Sequence, residues 1–312
     1  MVALKELSRK EDFFVSGHKL CAGCGIPVIL KLVLRASKYP IVVANASGCL
    51  AAGSAYFPQN SWKINWIHGG SGNASAVISG IETMYKSLKK QGKLADHKEI
   101  NFLAIGGDGA TYDRGLGSLS GAIERGHDFV YLCLDNQANA CSGGQRSSAS
   151  PMGAATRTTP AGSVLPGKMQ LEKKLSRIVA AHKVAYTAQA SPWNWQDLYK
   201  KAQKAFEVEG PAFLNVLTPC PTVWKFPTEK SVQLTKVAAD TCLWPIYEVF
   251  GDRTTINYRP PKRVSVTQWF ELQGRFKHLL KAENKWILEE IQDEIDKDWE
   301  WLISQENKGK LN

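Results

Sequence analysis

The chain has 312 residues, 44% apolar and 22% charged, with a net charge of +10 at neutral pH. That length and composition suit one large globular domain or two unequal ones and exclude disordered and fibrous classes. No apolar run reaches the roughly 20 residues that cross a bilayer, and the charged opening MVALKELSRKEDFF has no hydrophobic signal core. No membrane contact is expected, and the cytoplasm is the expected compartment. The seven cysteines, an odd number, favour metal ligands or free thiols over a disulfide framework. The basic residues are spread along helices without a basic run interleaved with aromatics, which argues against nucleic acid. An acidic protein partner is the preferred reading of the charge, and a solvated basic surface is the other.

Residues 1–20 read as an irregular arm. Cys21 and Cys24 then form a CxxC, with Gly23 and Gly25 giving the turn freedom that lets two thiolates face one metal. An amphipathic segment from residue 27 to 37 follows, so the motif precedes a helix N-terminus, where the dipole favours thiolate. Redox dithiol, zinc site and iron–sulfur site all remain open at this point. Residues 41–46 (IVVANA) read as a strand ending in Ser47-Gly48-Cys49, and residues 62–68 as a strand ending at His68 before a glycine-rich turn. His68 is thereby a candidate at a strand end. A helix is expected over 74–91.

Residues 101–105 (NFLAI) read as a buried parallel strand stopped by Gly106-Gly107-Asp108-Gly109. Glycines there let backbone N–H groups approach a phosphate, and Asp108 offers the hard oxygen that Mg²⁺ prefers. A helix over 116–125 leads to a second buried strand, 129–134, ending in Asp135-Asn136. A right-handed crossover sets the two strand ends side by side, so Asp108 and Asn136 can meet at one cation. Residues 142–167, rich in Ser, Thr, Gly and Pro, form a long polar stretch of the kind used as a functional loop or lid, with Gln145 and Arg146 as its best ligand contacts. Further elements are a helix over 171–183, a strand over 184–188, a helix over 195–207 and a last strand over 212–217, which ends near Cys220. Cys133 and Cys242 read as structural. The alternation makes this an α/β chain with a doubly wound parallel sheet. From about residue 227 a tryptophan-rich tail begins, with a long charged helix expected over 266–305.

The segments CAGCG (21–25), NASGC (45–49), GGDG (106–109), DNQA (135–138), GGQRS (143–147) and TPCP (218–221) together resemble the β, or thiamine diphosphate, subunit of 2-oxoacid:ferredoxin oxidoreductases of the pyruvate synthase type. The resemblance is close over residues 13–226. It implies a thiamine diphosphate-binding fold over 1–226 and a C-terminal helical extension over 227–312 that packs on partner subunits. It implies Mg²⁺ held by Asp108, Asn136 and the Ala138 carbonyl. A [4Fe–4S] cluster would sit on Cys21, Cys24, Cys49 and Cys220. Gly48, Cys49, Gly107, Asp108, Gly109, Ala110, Asn136, Ala138 and Gln145 are the implied cofactor contacts, and Cys141, Asn139, Arg146 and His68 the candidate catalytic residues. The implied reaction is oxidative decarboxylation of a small 2-oxoacid, with electrons leaving through the cluster to ferredoxin. The α and γ/δ-type subunits of the complex would complete the pocket.

Two departures bear on substrate. The family's Tyr-x-Asn-Thr-Gly after DNxA is here Asn139-Ala140-Cys141-Ser142-Gly143, and an aromatic and an acid before Asn73 are replaced by Ser71-Gly72. Losing a carboxylate near the site suits a smaller, more negative substrate. Oxalate, oxidised to CO₂ without coenzyme A, is therefore the expected substrate, with pyruvate and coenzyme A the alternative and a non-catalytic metal-binding scaffold the remote one.

Overall fold

The computed structural model describes residues 4–94 and 99–311. Eight strands form one sheet: β1 (Ile41–Asn45), β2 (Asn65–His68), β3 (Asn101–Gly107), β4 (Val130–Asp135), β5 (Tyr186–Ala190), β6 (Ala212–Leu217), β7 (Tyr247–Phe250) and β8 (Arg253–Ile256). Their order is β2-β1-β3-β4-β6-β5-β7-β8. The first six run parallel, as the alternating pattern requires.

Strands β4, β5 and β6 are buried along their whole length because helices cover both faces. The two-residue period sorts their side chains. Val130, Leu132 and Leu134 join Ile29, Val33, Leu198 and Ala202 on one face. Tyr131 and Cys133 join Ile78, Leu119 and Val179 on the other. The helix Ile26–Ala36 buries Ile29, Leu30 and Val33, starts with Pro27 in its first turn and stops where Ser37 turns extended.

Three expectations need correction. Residues 212–217 are not the last strand, since the β7–β8 hairpin adds two antiparallel strands beyond β5. Each has four residues, too few to stand out in a hydropathy pattern, and Gly251 at φ +57 makes their turn. Residues 266–305 are not one helix. They divide into Val266–Glu271, the 3₁₀ segments Gly274–Leu280 and Ala282–Asn284, and the helix Lys285–Leu311. At the break, a Cβ on Gly274 would lie 2.7 Å from the Lys225 Cβ, so backbone approach bends the chain there. Finally, residues 4–8 of the supposedly irregular arm are helical.

The tail builds a second core on this same chain, in which Trp224, Trp269, Phe270 and Phe276 pack ring against ring. Among the described residues no helix is long and apolar enough to cross a membrane.

Register places the site. Asn45 lies level with His68 and Ile105, Gly107 with Leu134, and Asp135 with Leu217. The loops that begin at Ala46, Gly69, Asp108, Asn136 and Thr218 therefore leave along one edge. The chain turns from β1 toward β2 but from β3 toward β4, so a crevice opens between β1 and β3 at that edge.

Candidate functional site

Asp108 follows β3 directly and is 1% exposed. Burial first, and the nearby Asp135 charge second, push its carboxyl well above the usual carboxylate range. The Ser147 hydroxyl donates to it. Asn136 follows β4; its side chain is buried and its Oδ1 has no hydrogen-bond partner. Its own carbonyl is fixed by Trp224, whose Nε1 donates at 2.8 Å. Two residues on, the Ala138 carbonyl accepts from the Ala140 amide at 2.9 Å and keeps a second lone pair. Gln137 between them sits at φ +60, its amide donating to Asp135 Oδ1 at 3.0 Å. A buried carboxyl made reluctant to ionise and, at the end of the neighbouring strand, a buried amide oxygen without a donor are a set that a divalent cation would satisfy.

The turn before it is shaped for close approach. A Cβ on Gly109 would fall 1.7 Å from Asn139 Oδ1 and displace that side chain, whereas Gly48 has nothing within 4 Å and Gly107 only the Leu134 carbonyl at 3.9 Å. Backbone is thus bare on both sides of the crevice. Ala110 lies in a π-helical turn, Gly109–Arg114, that leads into the helix Leu116–Glu124.

Against this corner lies a cavity of about 190 Å³ lined by Cys21, Cys24, Cys49, Cys141 and Cys220, with Asn136 in the same wall. Close backbone packing assembles it: a Cβ on Gly25 would meet Pro219 Cδ at 2.4 Å, and the Gly25 amide donates to the Pro219 carbonyl at 3.1 Å. Thr222 Oγ1 stands 3.7 Å from Cys21 Sγ. Burial pushes the Cys24 thiol up to about 12 and raises Cys220 as well. Cys49 is raised first by its hydrogen bond with Cys141 and then by burial; the same bond brings Cys141 down to about 6. Among the described residues no group of three or more His, Cys, Asp or Glu is set for a single metal ion, and none of the seven cysteines is paired. The sulfurs surround a space instead of converging on a point.

The sequence matches the thiamine pyrophosphate enzyme, C-terminal TPP binding domain, over residues 46–216. It is 40% identical to pyruvate synthase subunit PorB of Thermotoga maritima across 98% of this chain and 96% of that one. The PorB subunit of Methanocaldococcus jannaschii is 42% identical across 92% and 95%. The chain belongs to this family of 2-oxoacid:ferredoxin oxidoreductase β subunits. The fold agrees: a 2-oxoglutarate:ferredoxin oxidoreductase from Magnetococcus marinus superposes with a TM-score of 0.56 at 19% identity, covering 73% of this chain and 81% of that one. The β subunit is therefore an oxidoreductase component with a thiamine diphosphate domain.

Other expected contacts of the β subunit lie at the rim. His68 is exposed; its Nε2 is 2.8 Å from Ser47 Oγ, and its ring stacks on Trp66. Asn139 donates to the Arg146 carbonyl at 2.9 Å and accepts from Arg114 at 3.4 Å. Gln145 accepts from Ser142, and Arg146 donates to Gln170 at 3.0 Å. These side chains brace the 139–146 turn. The 142–167 stretch is less a lid than a floor. Ser147, Ser150, Met152 and Ala154 are buried, and buried Lys168 clamps its base through the Ser150 carbonyl. Ser147 and Arg114 were not singled out in the sequence; Ser147, inside GGQRS, could have been.

Proposed function

We propose that this β subunit supplies the thiamine diphosphate cradle and the first electron acceptor of a complex that oxidatively decarboxylates pyruvate, coenzyme A taking the acetyl group and ferredoxin the electrons. Asn136 carries the reading: one buried residue offers an unpartnered oxygen beside Asp108 and walls the cysteine cavity. Asp108, Asn136 and the Ala138 carbonyl would hold Mg²⁺, with Ser147 orienting the Asp108 carboxylate. Gly48, Gly107, Gly109 and Ala110 would offer backbone to the pyrophosphate. Cys21, Cys24, Cys49 and Cys220 would hold a [4Fe–4S] cluster; sulfurs spread around a space favour it over one zinc ion. Bound here, thiamine diphosphate would supply carbanion chemistry and the cluster a one-electron acceptor. The chain's own residues would hold both in the crevice, with the Asp108 and Asn136 side chains buried beneath them. Cys141, Asn139, Arg146 and His68 would line its mouth, where the substrate enters.

Partner subunits of the α and γ/δ types would close the pocket. Half-exposed Trp286 and Trp301 on the last helix suit such contacts for the 227–312 extension, and the +10 charge suits an acidic electron-carrier protein. A scaffold role is disfavoured, because a scaffold gains nothing from a buried Asp108 and an orphaned Asn136 oxygen.

Pyruvate leads because several relatives are pyruvate synthases, although a ketoisovalerate oxidoreductase subunit of Pyrococcus horikoshii is also 38% identical. These relatives do not support an oxalate preference. Oxalate stays as a second reading on two observations: Cys141 sits where the family has Asn, and Gly72, at φ +78, packs with its would-be Cβ 3.0 Å from the Arg114 and Gly115 backbone, so no acid occupies that place. Anaerobic viologen reduction by the co-purified complex decides. Pyruvate-dependent reduction requiring coenzyme A is expected; oxalate-dependent reduction without it would replace that assignment, and no reduction with any 2-oxoacid would sink the proposal.

A further inference from the structure

A side chain of the C-terminal segment, Arg275, reaches the cation corner. Arg275 is 1% exposed. Its guanidinium lies 4.6 Å from the Trp224 ring, 4.8 Å from Phe276 and 5.4 Å from Trp269. Its hydrogen-bond partners are neutral: Nη2 donates to Gln137 Oε1 at 2.6 Å and Nε to Gln273 Oε1 at 2.9 Å, while Nη1 has no partner. A cation buried on neutral acceptors is costly, so what it holds in place has to matter.

What it holds is Gln137, the residue between the two proposed ligands. Gln137 is a non-glycine residue in the left-handed region at φ +60, a strained conformation that persists only where neighbours enforce it. Beside the bond from its own amide to Asp135 Oδ1, three contacts enforce it. Trp224 fixes the Asn136 carbonyl at 2.8 Å, Ser150 Oγ donates to the Gln137 carbonyl at 2.7 Å, and Arg275 clamps the Gln137 side chain. Ring contact with Trp224 ties the first clamp to the third.

We propose that Arg275 is a positioning residue for the cation site. Through Gln137 it locks the left-handed kink that turns the Asn136 side chain and the Ala138 carbonyl toward one ion beside Asp108. This rests on the Mg²⁺ reading given above.

The test uses the co-purified complex stripped of thiamine diphosphate and divalent ions, titrated with Mn²⁺ in the presence of thiamine diphosphate, free Mn²⁺ being read by electron paramagnetic resonance. Arg275→Met is expected to weaken Mn²⁺ about 10- to 100-fold, the usual loss for an outer-shell partner, with iron content unchanged. Gln137→Leu should lose as much, and the double variant Arg275→Met, Gln137→Leu no more than either alone. Glycine adopts φ +60 without strain, so Gln137→Gly added to Arg275→Met should recover most of the affinity. Should Arg275→Met fail to assemble, Gln137→Leu, which keeps the guanidinium, carries the same test. Mn²⁺ affinity of Arg275→Met or Gln137→Leu within twofold of wild type, or no rescue by glycine, would overturn the inference. Wild-type complex that binds no Mn²⁺ with thiamine diphosphate would overturn the cation site itself, and the inference with it.

Discussion

The cation corner and the cysteine cavity share Asn136 but are built in opposite ways. The corner comes from the ends of two neighbouring strands, β3 and β4, which pair Gly107 with Leu134 and so put Asp108 and Asn136 at the same edge. The cavity gathers Cys21, Cys24, Cys49, Cys141 and Cys220 from four stretches of chain scattered over two hundred residues, held by glycine-to-proline packing and a few backbone bonds. The first is a property of the sheet and the second of its loops. A cofactor contact on the sheet tolerates loop changes, whereas one on the loops needs every piece seated.

The sharpest break in that comparison is Cys220→Ser. Removing one sulfur should cost the cluster, so dye reduction falls to background and the broad visible absorbance of iron–sulfur disappears, while Mn²⁺ and thiamine diphosphate still bind at the corner. Loss of both together would show that the two sites fold as one. A smaller effect is expected from Ser147→Ala, which removes the donor to Asp108. Mn²⁺ affinity should fall on the order of 10-fold with iron content intact, and unchanged affinity would make Ser147 a packing residue.

The smallest concerns Asp135, which burial raises to about 7. An acid with a raised folded value binds more protons folded than unfolded between about pH 4 and 7. Its contribution to stability is therefore greatest at acid pH and is lost as pH rises through 7. Asp135→Asn should flatten the pH dependence of unfolding in that window; an unaltered slope would place the titration elsewhere.

What could be read beforehand followed the same division. Strands β1 to β6 and the Asp108–Asn136 pair were legible, because a parallel strand announces itself as an apolar run and a strand end as the polar residue that stops it. The four cysteines expected to hold a cluster line one cavity together with Cys141, but they were grouped from resemblance: spacing alone left redox, zinc and iron–sulfur chemistry open. Cys141 was read as a substrate contact, and its place against Cys49 in the cavity wall was not visible. The tail was harder. Its apolar period continues across Gly274, where a break is imposed by contact with Lys225, a residue distant in sequence. Arg275 reads as surface in any one-dimensional view, since nothing local says that Trp224 and Trp269 will close over it. The 142–167 stretch has a loop's composition, yet its inner half is buried, because Ser147 and Ser150 find hydrogen-bond partners in Asp108 and the Gln137 carbonyl.

The two margins of the sheet are unlike. At β8 the outward Ile256 amide is taken by Glu306 of the last helix at 2.8 Å, so the chain seals that margin with its own terminus. At the other end β2 pairs only with β1 among the described strands, and most of its side chains are exposed. An unsealed strand is the usual place for a further chain to join. Among the described residues, the margin left without a strand or helix partner is thus the one where His68 stands, at the rim of the crevice.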